Sequence, residues 1–296
     1  MAIHFIPYKQ IDKLKWNACI DSADNGLIYG YSIYLDAMAK HWDALVLNDY
    51  EALMPLTWNK KFGIAYLYQP PFMQQLGIFG KGILNEDTKK LFVEKAQQRF
   101  RFAEIFGNFN DGVEQPNFIL PLSQPYAFIK NGYKNDLRKN LKHAATFSIS
   151  YQTTDDFAVA IELYKSQYVW RIPHVKELDY QQFSKLCATA KSTDNLLIRK
   201  VVDDKQNILA IALLFKDKKR LYNVLSVVTT EGRRCEANHY LFDKLIEEFS
   251  GRPMLLDFEG SSIDGIASFY QKFGAVNEPY FLLRYNHLPW PFKYFK

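Results

Sequence analysis

Two short stretches concentrate the groups that do chemistry. In Leu255-Leu256-Asp257-Phe258-Glu259-Gly260-Ser261-Ser262 an apolar run ends in two carboxylates, a glycine and two hydroxyls. Asp257 and Glu259 are two apart, so on an extended strand both point to one face, where a carboxylate can act as a base or orient an amine. The same residues also suit a helix start, with Ser261, Ser262 or Asp264 as N-cap and the carboxylates favoured by the helix dipole. The second stretch, Val227-Val228-Thr229-Thr230-Glu231-Gly232-Arg233-Arg234-Cys235-Glu236-Ala237-Asn238, joins a predicted strand to a predicted helix. Free backbone N–H groups and the positive end of a helix favour phosphate there, each such charge interaction being worth about 0.3–1 kcal/mol, and Arg233 and Arg234 add to it. A surface turn with two solvated arginines explains the same residues equally well.

A third charged stretch, Tyr133 to Ala144, reads as a helix on which Lys134, Arg138 and Lys142 recur every four residues and line one face. Such a face is either the solvated side of a connecting helix or a docking site for an anionic substrate. Other templates are missing: the chain has no G-x-S-x-G, G-x-x-x-x-G-K-[ST], H-E-x-x-H or G-x-G-x-x-G. The six histidines lack metal-ligand spacing, so no metal is expected. Cys19, Cys187 and Cys235 are odd in number and far apart, which argues against a disulfide framework or a zinc site.

These groups need a scaffold, and the composition supplies one. The 296 residues are 48% apolar and 23% charged, enough to bury a core in one large or two ordinary domains. The longest apolar run, Ile208–Phe215, is a strand's length and far below the ~20 residues that span a bilayer. No basic segment leads into an apolar stretch near Met1, so no secretory leader is expected and the chain is expected in the cytoplasm. A net charge of +5 permits an anionic ligand but falls short of a dedicated nucleic-acid face.

Periodicity shows the same order of elements twice. In the first half Leu45–Leu47, Ala52–Trp58 and Ile64–Tyr68 read as a meander with turns at Asn48-Asp49 and Asn59-Lys60-Lys61. An N-capped amphipathic helix follows from Asn85 to Phe100, then strands at Phe102–Phe106 and Asn117–Leu122. In the second half Leu196–Val202, Ile208–Phe215 and Leu221–Val228 form the meander. A helix carrying Ala237, Leu241, Leu245 and Phe249 follows, then strands at Met254–Phe258 and Tyr280–Tyr285. A helical region, 157–191, has the apolar residues to cover a sheet.

A meander, a phosphate-suited strand-to-helix loop, a further strand and then Ile266-Ala267-Ser268-Phe269-Tyr270-Gln271-Lys272-Phe273-Gly274-Ala275 resembles the GNAT-type N-acetyltransferase fold. The duplication is similar to the FemAB-like transferases, as is Tyr68-Gln69-Pro70-Pro71-Phe72-Met73-Gln74-Gln75-Leu76-Gly77. The resemblance implies an α/β (α+β) fold of two tandem GNAT-like domains, each a mixed, largely antiparallel sheet flanked by helices. The expected domains are 1–130 on the acceptor side and 131–296 on the donor side. It implies an acyl- or aminoacyltransferase acting on an amine of an amino-acid, peptide or cell-envelope precursor, with acyl-CoA as donor. Tyr270 falls where the family's helix tyrosine serves as acid, and Glu259 or Asp257 is then the base. Val228, Thr229, Gly232, Arg233, Arg234, Ala237 and Asn238 are expected around the donor, and Tyr68, Gln69, Gln74, Gln75, Arg138, Lys142 and Ser261 around the acceptor.

The loop departs from the family's Gln/Arg-x-x-Gly-x-Gly/Ala pattern, since Glu236 stands where a glycine is expected. That departure leaves two alternatives. One is an aminoacyl-tRNA-dependent ligase that holds tRNA through Lys134, Arg138, Lys139 and Lys142, a contact that salt weakens. The other is a catalytically silent binding module.

Overall fold

The computed structural model describes residues 2–82, 84–109, 112–260 and 264–294. In chain order the elements begin with β1 (Ile3–Ile6), α1 (Lys13–Ser22), α2 (Ser32–Met38), β2 (His41–Leu47), β3 (Ala52–Lys61) and β4 (Ile64–Tyr68). There follow β5 (Phe79–Gly80), α3 (Glu86–Arg99), β6 (Phe102–Gly107), β7 (Val113–Gln115) and β8 (Phe118–Pro121). Next come α4 (Tyr126–Asn131), α5 (Asn135–Ala144), β9 (Ser150–Thr153), α6 (Phe157–Tyr168), α7 (Glu177–Ser192), β10 (Leu196–Val202), β11 (Ile208–Lys216) and β12 (Arg220–Val228). The rest are α8 (Thr230–Arg234), α9 (Ala237–Phe249), β13 (Leu255–Asp257), α10 (Asp264–Gln271), β14 (Val276–Asn277) and β15 (Tyr280–Asn286).

The chain divides into two compact units, Met1–Gln115 with Tyr280–Lys296, and Pro116–Pro279. In the first unit the sheet order is β1-β2-β3-β4-β6-β15-β7, with β5 against β3. Lys61 pairs with Ile64 across a two-residue turn in which Phe62 and Gly63 both take positive φ, the geometry that a tight hairpin requires. The turn therefore falls just beyond the expected Asn59-Lys60-Lys61, because glycine rather than polarity decides where the chain can reverse. Asn85 caps α3 by accepting from the Thr88 N–H at 2.8 Å, and Phe92, Ala96 and Phe100 turn one helix face onto the sheet.

The second unit has the sheet order β14-β8-β13-β12-β11-β10-β9. β11 is buried along almost its whole length, as an unbroken apolar strand must be, with α6 and α9 packed against it. Leu241, Phe242, Leu245, Ile246 and Phe249 form the buried face of α9. The helical region 157–191 is built of two helices, α6 and α7.

The expected boundary at 130/131 is not where the chain divides. β8 pairs with β13, Leu256 facing Leu120, and so belongs to the second sheet; β15 pairs with β6, Leu283 facing Ile105, and so belongs to the first. Apolar alternation marks both segments as half-buried strands but carries nothing about which sheet they complete. The architecture is α/β (α+β), with two mixed, largely antiparallel sheets flanked by helices.

Candidate active site

In the second unit β12 and β13 run parallel and share only the rungs Arg220–Leu255, Leu221–Leu256 and Tyr222–Asp257. β12 continues six residues further, and among the described residues its edge beyond Tyr222 has no strand beside it on that side. Its other pairing slips at the same place: Leu213 faces Leu225 but Phe215 faces Tyr222, which leaves one extra residue on β12 around Asn223-Val224. Such a bulge re-aims side chains where a ladder ends. The wedge that opens there is a cavity of about 570 Å³. Its walls are Asn223, Val224, Ser226, Val227 and Val228 of β12, Phe258, Glu259 and Gly260 after β13, and Ile266, Phe269 and Tyr270 of α10. Arg233, Asn238, Tyr164, Tyr168, Arg171, Ile172 and Gly265 complete it.

The two carboxylates have separate fates. Asp257 is 1% exposed; its Oδ2 lies 3.0 Å from Arg220 Nη1 and accepts from Asn117 Nδ2 at 3.4 Å, while its Oδ1 accepts from the Glu259 N–H at 2.9 Å. Burial pushes its carboxyl above the usual range, with Arg220 opposing. Arg220 is also bound by Glu278, at 2.6 Å. Asp257 is absent from the cavity wall. Glu259 lies past the strand end in left-handed backbone, φ 60°, and does line the cavity. The expectation that both share one strand face therefore fails, because the side chain of Asp257 closes an Asx turn that lifts Glu259 off the sheet.

Tyr270 is buried and stacks on Phe258, with centroids 4.7 Å and planes 26° apart. Burial first and then the negative charge of Glu259 push its hydroxyl well above the ordinary tyrosine value, against a donor contribution from the Asn223 amide. It stays protonated at neutral pH. Burial, together with Tyr180, Tyr168 and Glu259, likewise raises Tyr164 to about 12. Asn223 donates weakly to Ser226 Oγ at 3.4 Å, while its carbonyl oxygen and that of Asn238 are buried with no hydrogen-bond partner among the described residues. Buried acceptors left over in a polar cavity are groups a ligand can satisfy.

The loop after β12 is more ordered than an open turn. Thr229 caps α8 by accepting from the Gly232 N–H at 3.0 Å. A Cβ at Gly232 would meet the Leu209 carbonyl oxygen at 2.0 Å, so that glycine serves packing on β11. Ala237 is fully buried in the core and Arg234 is exposed; of the expected donor contacts, Val228, Arg233 and Asn238 line the cavity. Glu236 does not. Its backbone is left-handed, and its Oε2 holds His239 Nδ1 at 2.7 Å, so the carboxylate that stood in the way of a phosphate is turned onto a neighbour. Arg233 and the N-terminus of α9 are thus compatible with an anionic carrier.

The expected acceptor residues are not assembled at this cavity. Arg138 donates to the carbonyls of Tyr133, Lys130 and Asn131, stapling the end of α4. Lys142 is exposed on α5. Tyr68, Gln69, Gln74 and Gln75 lie in the first unit, where the Gln69 amide bridges the Met73 carbonyl and the Phe106 N–H, Gln75 donates to Gln74, and the Tyr68 hydroxyl accepts from the Lys40 N–H. Ser261 lies outside the described residues. Sequence reasoning missed Arg171, Tyr164, Tyr168 and Asn223. Asn223 carried a signal, being a lone amide inside the apolar strand Leu221-Tyr222-Asn223-Val224-Leu225.

Among the described residues no group of three His, Cys, Asp or Glu side chains can hold a metal ion, and no helix is long and apolar enough to cross a membrane. No family model matches the chain, and no curated protein matches its sequence. Solved structures do. FemX aligns over 96% of this chain and 98% of its own, with TM-score 0.67 and 11% identity. The C-terminal (DUF2156) domain of a putative lysylphosphatidylglycerol synthetase from Agrobacterium fabrum aligns over 93% and 92%, with TM-score 0.60 and 14% identity. A conserved protein of unknown function from Bacteroides thetaiotaomicron aligns over 95% and 100%, with TM-score 0.58 and 11% identity. At these identities the similarity is one of fold: this chain shares the fold of FemX along nearly its whole length.

Proposed function

We propose that the chain moves an acyl or aminoacyl group from an anionic carrier to an amine in the wedge between β12 and β13. The observation that carries this reading is the placement of a buried, protonated Tyr270 beside Asn223 in the cavity that Glu259 also lines. The amine nitrogen attacks the carbonyl carbon and Glu259 takes its proton. N–H groups on the unpaired edge of β12 stabilise the developing oxyanion, and Tyr270 returns a proton to the leaving sulfur or oxygen. The C–N bond replaces the C–S or C–O bond with no covalent enzyme intermediate. A base and an acid each contribute about 10²–10⁴ in rate.

Arg233, Asn238 and the start of α9 would receive the phosphates of the carrier, and the lining by Arg171 places a second cation at the same cavity. Coenzyme A is the first donor to test, because a thioester carrier with a pyrophosphate suits that end of the wedge. An aminoacyl-tRNA is the second: the likeness to a protein named as a lysylphosphatidylglycerol synthetase favours an aminoacyl group, and Lys134 at the start of α5 with Lys139 and Lys142 on it are exposed cations that could meet a nucleic-acid carrier. The acceptor is an amino acid, peptide or cell-envelope precursor met in the cytoplasm.

Thermal shift against acetyl-CoA, longer acyl-CoAs and a charged minihelix tests the reading. A ligand at 100 times its Kd stabilises by about 2.7 kcal/mol. A saturable shift that Arg233→Glu reduces supports it; no shift with any donor leaves a silent binding module.

A further inference from the structure

The first unit carries a groove of about 700 Å³ between the last turn of α3 and strands β1 to β4. Its floor is apolar and includes Phe5, Leu45 and Trp58, while Lys60 of β3 and Lys95 and Arg99 of α3 stand at its rim. Among the described residues none of these three cations has a carboxylate partner. Lys60 Nζ instead lies 5.6 Å from the Trp58 ring centroid, and the Arg99 guanidinium lies 3.5 Å from that of Phe5. Asp43, the carboxylate that lines the groove, is held by neutral donors, accepting from Trp58 Nε1 at 2.8 Å and the Tyr8 N–H at 2.9 Å. The dipole of α3 favours cations near its C-terminus and so accounts for Arg99, but it does not account for Lys60, which a strand brings to the same groove.

We propose that this groove binds an amphiphilic phosphate monoester, its dianionic head among Lys60, Lys95 and Arg99 and its apolar body on the floor. Three cations against one carboxylate match a phosphate near −2 better than a single carboxylate. The body is a flexible alkyl chain rather than a planar base: His41 stacks on Trp58 at 4.4 Å and 24°, Lys60 approaches the same ring, and Arg99 covers Phe5, so the aromatic faces are already engaged. The groove lies wholly in the first unit and does not rest on the transferase reading.

The test is a titration of the full chain with decyl phosphate below its micellar concentration, followed by calorimetry and tryptophan fluorescence. The expected result is saturable one-to-one binding with a fluorescence change that Trp58→Phe removes. The paired reversal Lys60→Glu and Arg99→Glu is expected to weaken binding at least tenfold with only a small drop in melting temperature, since both side chains are exposed and the drop comes from placing an anion at the C-terminal end of α3. Single reversal of Lys95 serves as the second variant should the pair fail to fold. Several results would overturn the proposal. These are no saturable binding, binding indifferent to charge reversal, inorganic phosphate or adenosine monophosphate binding as tightly as decyl phosphate, or sedimentation with anionic vesicles without binding of the monomer.

Discussion

Arg220 Nη1, on the first of the three rungs that β12 and β13 share, meets Oδ2 of Asp257, on the last, at 3.0 Å, so the pair clamps the strands just before they diverge. Through its Oδ1 Asp257 also closes the turn that carries Glu259. Removing one partner of a buried pair leaves an uncompensated charge, which costs about 3–5 kcal/mol. Asp257→Ala is expected to lose stability near the lower end of that range, because Glu278 still faces Arg220. Urea unfolding measures it, and a variant as stable as the parent would contradict the clamp.

Glu259 holds a left-handed backbone conformation that a non-glycine residue adopts at a penalty of about 1–2 kcal/mol. Strain of this kind persists where a side chain is needed in place. Glu259→Gly is expected to be as stable as the parent or more so by up to about 1 kcal/mol, while transfer falls at least 100-fold. A fall in both would show that the carboxylate serves stability.

The raised Tyr270 hydroxyl gives a sign to the pH dependence. Its protonated form is favoured in the folded state, so the associated stability is full below pH 10, the unfolded value, and is lost as pH rises above it. Catalysis that uses it as an acid is expected to show no alkaline limb up to about pH 10. A fall in kcat setting in near pH 8 would assign the acid to another group.

Glu248 behaves oppositely. Burial alone would raise its carboxyl, but hydrogen bonds from Arg199, at 2.5 and 2.9 Å, and from the Tyr151 hydroxyl outweigh burial and lower it. That stability is present above the unfolded value near 4.3 and is lost as pH falls through the lower folded one. Glu248→Gln is expected to cost about 2 kcal/mol at pH 7 and to flatten the acid limb of the stability profile. An acid limb identical to the parent's would rule the ion pair out as its source.

Much of the scaffold was legible because its signals are local. The Asn85 cap, the apolar stripe of α9 and the run Ile208–Phe215 each fix an element without reference to the rest of the chain. Strand membership was not, because β8 and β15 join partners more than 100 residues away on the strength of shape rather than pattern. In the site, Glu259, Arg233 and Asn238 stood out within two polar stretches and Tyr270 through the family resemblance, and all four line one cavity. Asp257 and Gly232 have the same chemical appearance in the sequence, but one is bound to Arg220 and the other packs on Leu209. Glu236 looked hostile to phosphate until its partner His239, three residues on, was seen to hold it.

The most direct test of the central claim is single-turnover transfer to an amine acceptor, using whichever donor stabilises the protein, by the parent, Tyr270→Phe and Glu259→Gln. Each variant is expected to lose at least 100-fold in kcat with the donor KM changed less than threefold. Full turnover by both variants would contradict the proposed acid and base.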